Sequence, residues 1–130
     1  EDQLIVCAMD ARRAQVYNAL FLARGNRLER LCPDRAVSLA ELGEELKKYQ
    51  KMKIVVGDGA MLCYNTLREE VPGLSLAPVH LRTQSAWGVA RAAEDLAAAG
   101  GLVTAADLAP VYHRLSQAER ERLEREQNLR

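Results

Sequence analysis

Residues 4–31 read LIVCAMDARRAQVYNALFLARGNRLERL, and the spacing of apolar runs and turns in this stretch decides the fold. Leu4 to Met9 is a short β-prone run. Val16 to Ala23 is longer and apolar on both alternating faces, which suits a strand in the middle of a sheet. Asp10 to Arg13, between them, are polar. Gly25-Asn26 then separates the second run from Leu28 to Leu31, a two-residue hairpin signal because glycine tolerates a positive φ at the first turn position. The stretch predicts three antiparallel strands in a meander.

Beyond Pro33 the period becomes helical. Leu39, Leu42, Leu46 and Tyr49 fall three and four apart, with Glu41, Glu44, Lys47 and Lys48 on the other side and a Ser38/Glu41 capping box at the start. Lys53 to Val56 reads as a buried strand. Gly57-Asp58-Gly59 turns it into a second helix carrying Cys63, Leu67 and Val71 on one face, and Pro72-Gly73 ends that helix. Leu74 to Val79 reads as a short strand. Ala86, Val89, Ala90, Ala93, Leu96 and Ala97 outline a stripe of mostly small side chains, on a helix able to lie close to a sheet and closed by Gly100-Gly101. Pro110-Val111-Tyr112 is a brief extended piece. The tail, residues 116–130, predicts a charged helix with a second capping box (Ser116/Glu119) and a Glu121/Arg125 pair, but Ala118, Leu123 and Leu129 are too few to bury a face. It is either a solvated helix or one that packs on a partner.

Composition bounds the function. The 130 residues are 48% hydrophobic and 28% charged, the balance of one folded domain. Eighteen basic residues against eighteen acidic leave no global positive field to gather phosphate backbones, so nucleic-acid contact is local or borrowed from a partner. Aromatic residues make up only 5%, too few for base-stacking platforms. No apolar run approaches a membrane span and no leader pattern opens the chain, so a cytoplasmic location is expected. Cys7, Cys32 and Cys63 form no C-x-x-C pair and read as reduced, buried thiols.

The predicted element order, a meander followed by alternating helices and strands, is that of an α/β half domain of the ribonuclease H-like or actin-like kind, a fold with many unrelated activities. Two places are able to meet an anion. The turn Asp10 to Ala14 lacks the glycine of a phosphate-binding hairpin but offers Arg12 and Arg13, which otherwise sit on a surface hairpin salt-bridged by Asp10. Gly57-Asp58-Gly59 precedes a helix N-terminus, where orphan N–H groups favour anions. Asp58 puts negative charge at that spot, and the favoured reading makes it the N-cap of the helix. No catalytic set assembles: only Asp10 ends a strand where a metal-dependent nuclease needs several carboxylates, His80 and His113 are isolated, no G-x-S-x-G occurs, and Ser38 and Ser116 have capping roles. No catalytic residue, metal ligand or cofactor is expected.

Three segments carry a family resemblance. Asp10-Ala11-Arg12-Arg13-Ala14-Gln15-Val16-Tyr17 resembles the D-A-R-x-G-E-V-Y segment of the TsaB (YeaZ) family of glycoprotease-like proteins. Pro110-Val111-Tyr112-His113-Arg114, followed by Ser116-Gln117-Ala118-Glu119-Arg120, resembles that family's P-x-Y-L-R ending and S-x-A-E-R extension. Val56-Gly57-Asp58-Gly59-Ala60 resembles a third landmark. Gly57 to Ala60, with Asn65, Leu67 and Arg68, also resembles the G-G-V-A-A-N-x-x-L-R nucleotide segment of the catalytic paralogue TsaD, with Asp58 replacing a glycine. The family's I-D-T-S and G-P-G-S-F-T-G segments are absent. Ala14, Gln15 and His113 stand where Gly, Glu and Leu are usual.

The resemblance implies the C-terminal half of a TsaB-like protein, with residues 1–115 as the subdomain and 116–130 as its tail. It further implies a non-catalytic partner or dimerisation subunit that supports threonylcarbamoylation of the adenosine beside the anticodon in tRNA. The implied partners are the catalytic TsaD, the ATPase TsaE and a second copy of the chain, with tRNA reached only indirectly. The alternative is an actin-like nucleotide-binding enzyme, or a glycoprotease-like hydrolase, whose first half lies elsewhere and which places Arg12, Arg13, Gly57, Asp58 and Gly59 on a phosphate.

Overall fold

The computed structural model describes residues 2–115 and 117–128. Six strands form one mixed sheet: β1 (Gln3–Asp10), β2 (Gln15–Arg24), β3 (Arg27–Arg30), β4 (Arg35–Ser38), β5 (Lys53–Val56) and β6 (Leu74–Leu76). The order across the sheet is β3-β2-β1-β5-β6, with β4 also beside β2. β2 runs antiparallel to β1, β3 and β4, while β5 is parallel to β1 and β6 to β5.

β2 holds the centre because it pairs with β1 on one edge and with β3 and β4 on the other. On that outer edge, β3 and β4 are two pieces of one interrupted strand, and β4 is an element that the helical reading after Pro33 lacks. Between the two ladders, the four residues Leu31 to Asp34 stand opposite only Ala19 and Leu20. Pro33 has no N–H to give a ladder, and the Leu20 N–H finds the Cys32 sulfur as its acceptor at 3.2 Å in place of a backbone carbonyl. A four-residue strand with mixed polarity and a proline before it carries too weak an alternation to be read locally.

Helices α1 (Leu39–Leu46) and α2 (Ala60–Leu67) cover one face of the sheet. Leu4, Val6, Leu20 and Val55 project from the strands to meet Leu42, Leu46, Cys63 and Leu67, and each fully buried Leu or Val contributes about 1.5–3 kcal/mol by leaving water. The Ser38/Glu41 capping box forms in both directions. Both helices are shorter than the apolar periodicity: Tyr49 lies past α1 in a turn, and Val71 past α2, though it is buried and its N–H still reaches the Leu67 carbonyl at 2.8 Å.

β6 stops at Leu76 and not Val79, because Pro78 cannot extend the ladder and the chain enters a 3-10 turn at Val79–Leu81, held by Arg82 Nε donating to the Ala77 carbonyl at 2.6 Å. Helix α3 (Ala86–Ala98) starts on its Ser85 cap and ends before Gly100, yet none of its residues is buried. It lies on no face of the sheet. Val111 and Tyr112 form no strand. The tail forms a helix, α4 (Gln117–Asn128), in which Arg125 Nε donates to the Glu121 carbonyl. The Ser116 cap, the Leu123 side chain and Leu129 lie outside the described residues.

Cys63 is buried as expected, whereas Cys7 and Cys32 are only half-buried. Burial pushes the Cys63 thiol up from 9.0 to about 11. A thiol that ionises later folded than unfolded stabilises the fold at low pH and loses that contribution as pH rises through the folded value. Between pH 9 and 11 the protein is therefore expected to lose stability faster than Cys63→Ala does, by up to about 2–3 kcal/mol across the interval, in urea melts of the two proteins. Equal slopes remove the effect.

Lys53 is almost wholly buried, and its hydrogen-bond partners among the described residues are backbone carbonyls. Its Nζ donates to the carbonyls of Tyr49 (2.7 Å), Lys51 (2.9 Å) and Pro72 (3.0 Å), so all three ammonium protons are used and the loop after α1 is tied to the loop after α2. Burial pulls its pKa below the usual lysine value. Lys53→Met strands three carbonyls and is expected to cost roughly 3 kcal/mol, read as a lower urea midpoint at unchanged slope.

Candidate functional site

The C-terminal end of β1 is where the sequence-predicted site residues meet. The chain leaves Asp10 into a turn in which Arg12, Arg13 and Ala14 all have positive φ, 64°, 54° and 55°. Left-handed backbone costs a residue with a Cβ about 1–2 kcal/mol, so three in succession persist only if neighbours hold them. They do. The Asp10 carboxylate accepts the Arg12 N–H at 2.7 Å, Ala11 N–H reaches the Gln15 carbonyl, Gln15 N–H reaches that of Arg12, and the Ala14 carbonyl accepts the first N–H of α1, from Leu39. The expected Asp10–Arg12 ion pair is present at 3.6 Å, but the Arg12 side chain is 86% exposed and the pair adds little.

Gly57-Asp58-Gly59 abuts this turn. Gly57 has φ 101°, and a Cβ on it would stand 2.1 Å from the Ala8 carbonyl oxygen; a Cβ on Gly59 would stand 3.0 Å from the Asp10 nitrogen. The absence of side chains therefore serves close contact with the β1 backbone. Gly59 N–H donates to the Ala8 carbonyl and Ala60 N–H to that of Gly57, so two groups at the start of α2 are already engaged. The N-cap is Gly59 and not Asp58, the residue that local sequence favours. Asp58 faces back across the turn, where its Oδ1 accepts the Asp10 N–H at 3.1 Å. Asp10 ends β1, and a carboxylate one residue ahead of the Gly59 cap is placed to take its N–H.

The third segment arrives from the far end of the chain. Arg114 donates from Nη1 to the Ala11 carbonyl, and Val111 to Arg114 line a cavity of about 500 Å³ with Cys7, Met9 and Tyr17. All three segments that carry the family resemblance thus converge on residues 8–14. Arg12, Asp58, Gly57 and Gly59 are brought together; Arg13 instead faces a groove of about 1150 Å³ beside α1 and α2. Sequence reasoning misses the part played by Arg114, whose partner lies 103 positions away. It also misses Arg35, which joins Glu45 (2.6 Å) to Asn18 (3.0 Å) while Asn18 Nδ2 holds the Cys7 carbonyl, a polar chain from α1 into the sheet. No local signal marks either contact. His80 and His113 are exposed, and among the described residues no group of three or more His, Cys, Asp or Glu is placed to hold a metal ion.

Two substitutions test this geometry. Gly57→Ala, which meets a carbonyl and a disfavoured φ together, is expected to cost at least about 3 kcal/mol. Ala14→Gly, which relieves a left-handed alanine, is expected to raise stability by about 0.5–1 kcal/mol. Thermal melts read both, and a destabilised Ala14→Gly contradicts the strained turn.

No protein-family model matches the chain. Over 122 residues, 91% of its length, it is 32% identical to the tRNA threonylcarbamoyladenosine biosynthesis protein TsaB of Bacillus subtilis (strain 168), of which it covers 50%. Among solved structures it is similar to an uncharacterized Pseudomonas aeruginosa protein described as having similarity to peptidase YeaZ (TM-score 0.61, 19% identity, 85% of this chain and 49% of that one). It is also similar to YeaZ from Pseudomonas aeruginosa (TM-score 0.55, 18% identity, 84% and 49%). The chain spans about half the length of the relatives it matches. These structures share its mixed α/β fold, and no helix of the described residues is long and apolar enough to cross a membrane. The identity to the curated relative, over about half of that protein, supports a TsaB (YeaZ) family fragment.

Proposed function

We propose that this chain acts in tRNA threonylcarbamoyladenosine biosynthesis as a non-catalytic partner subunit. In this reading residues 1–115 are the C-terminal subdomain of a TsaB-like protein in the cytoplasm and 116–130 its helical tail. The subdomain is a ribonuclease H-like or actin-like half: β2 is antiparallel to each of its neighbours, and the order β3-β2-β1-β5-β6 suits that architecture. It binds a TsaD-like catalytic subunit, works beside a TsaE-like ATPase, associates with a second copy of itself, and meets tRNA only through its partners.

The observation that carries the reading is the glycine turn. In a phosphate cradle, glycines leave room for an anion; here the β1 backbone fills the room beside Gly57 and Gly59, and the Asp58 carboxylate lies in the same turn. That favours a site kept for shape over one that holds nucleotide, and it leaves Arg12 and Arg13, both exposed at the turn, as contact points for a partner. The test mixes the chain with a TsaD-like subunit from the same source on size exclusion with light scattering, alongside titration with ATP and Mg²⁺. Co-elution, weakened at least tenfold by Arg12→Ala with Arg13→Ala, and no heat with ATP are expected. ATP binding without co-elution favours the nucleotide-binding enzyme, with the same arginines on phosphate.

A further inference from the structure

The chain has three methionines, Met9, Met52 and Met61, and none of them lies in the core: they are 41%, 52% and 46% exposed. Methionine is ordinarily a buried, gap-filling residue, so three at the surface need a reason. Two of the three have a defined contact. Arg82 donates from Nη1 to the Met61 sulfur at 3.4 Å, and Gln84 donates from Nε2 to the Met9 sulfur at 3.2 Å. Both donors belong to the segment between β6 and α3, where Val79 and Leu81 are exposed and apolar burial gives little hold. Beyond Ala77, whose N–H still reaches the Val55 carbonyl, these two thioethers are the hydrogen-bond acceptors that join the segment to the body of the protein among the described residues. One stands near the end of β1 and the other in the first turn of α2, on either side of the Gly57 turn.

We infer that Met9 and Met61 form a paired oxidation site, a latch on this segment that a hydroperoxide tightens. A thioether is a weak acceptor. When a sulfur lone pair attacks the outer oxygen of a hydroperoxide, the O–O bond breaks and an S–O bond forms. The sulfur gives up two electrons, and the proton passes to the departing oxygen, which leaves as an alcohol or, from hydrogen peroxide, as water. The sulfoxide is polar and sets an oxygen acceptor where the bare sulfur stood. Arg82 and Gln84 are already aimed at these two positions, and their long side chains have room to retreat and admit the oxygen. Two hydrogen bonds to oxygen, one of them from a guanidinium, then replace two weak contacts with sulfur. The change is reversible, because methionine sulfoxide reductases return both sulfurs to the thioether.

Met52 supplies the contrast. It is the most exposed of the three, but it precedes β5 at the opposite end of the sheet, with its sulfur beside Gly73. Its oxidation leaves the segment between β6 and α3 as it was. The latch also stands apart from the partner role proposed above: Met9 adjoins Asp10 and Met61 lies two residues beyond Gly59, yet neither Arg12 nor Arg13 takes part in it.

The test treats the full chain with hydrogen peroxide, maps each sulfoxide by peptide mass spectrometry, and follows two readouts. One is the rate of tryptic cleavage after Arg82, and the other is the fluorescence anisotropy of Trp87, the single tryptophan, in the first turn of α3. Oxidation is expected to slow the cleavage by about three- to tenfold, the effect of one added hydrogen bond, and to raise the anisotropy. Methionine sulfoxide reductases A and B are expected to restore both values. Met9→Leu with Met61→Leu is expected to keep the circular dichroism and lose the response, while Met52→Leu keeps it. Met9→Gln with Met61→Gln, which offers an amide oxygen at each position, is expected to slow the cleavage without peroxide. Oxidation of Met52 that leaves Met9 and Met61 intact, cleavage that is unchanged or faster after oxidation, or a response that survives in the double leucine variant each overturns the inference.

Discussion

The contact between the Gly57 turn and the Ala8 carbonyl sets the rest of the molecule. β5 lies parallel beside β1, and the chain must turn at once from Val56 into α2 to cover the shared face. That crossover is possible only if the turn presses on the β1 backbone, which leaves no volume for a side chain at residue 57. Once the turn is seated, α2 brings Cys63 and Leu67 over Val6 and Val55, and α1 packs alongside. Asp58 is carried to the end of β1 by the same placement.

From this contact follows the character of the candidate site. Residues 8–14 are held from three directions: by the glycine turn and Asp58, by the first N–H of α1 on the Ala14 carbonyl, and by Arg114 on the Ala11 carbonyl. The first holds the end of β1, and the other two give hydrogen-bond partners to the carbonyls of Ala11 and Ala14 on either side of the left-handed residues. The result is a rigid, strained tip that presents Arg12 to solvent and Arg13 to the neighbouring groove. Rigidity of this kind suits recognition by a partner, since little conformational freedom remains to be lost on binding.

Much of the fold is legible locally. β1, β2 and β5 announce themselves by apolar runs, and α1 by its capping box and three-four spacing, because burial of one or both faces imposes those periods. β4 is not legible, since its partner is the front half of a strand whose rear half pairs elsewhere, and no local pattern encodes a two-residue excess on one edge. The helix ends run short of the apolar pattern because Tyr49 and Val71 reach the core from turns. In the site, glycines and arginines are visible as residues, but Asp58 has the local look of a cap while its partner is the end of β1.

Element types, the covered core face, the three motif segments and, through them, the family resemblance are all written in the order of the amino acids, because periodicity and turn chemistry act over a few residues. Other features exist only once the chain has folded: these segments meet, the glycines serve β1 and not an open cradle, Lys53 is satisfied by three carbonyls, and α3 is left without a layer. Each depends on groups tens of positions apart, and only the packing of the sheet against its helices sets the distance between them.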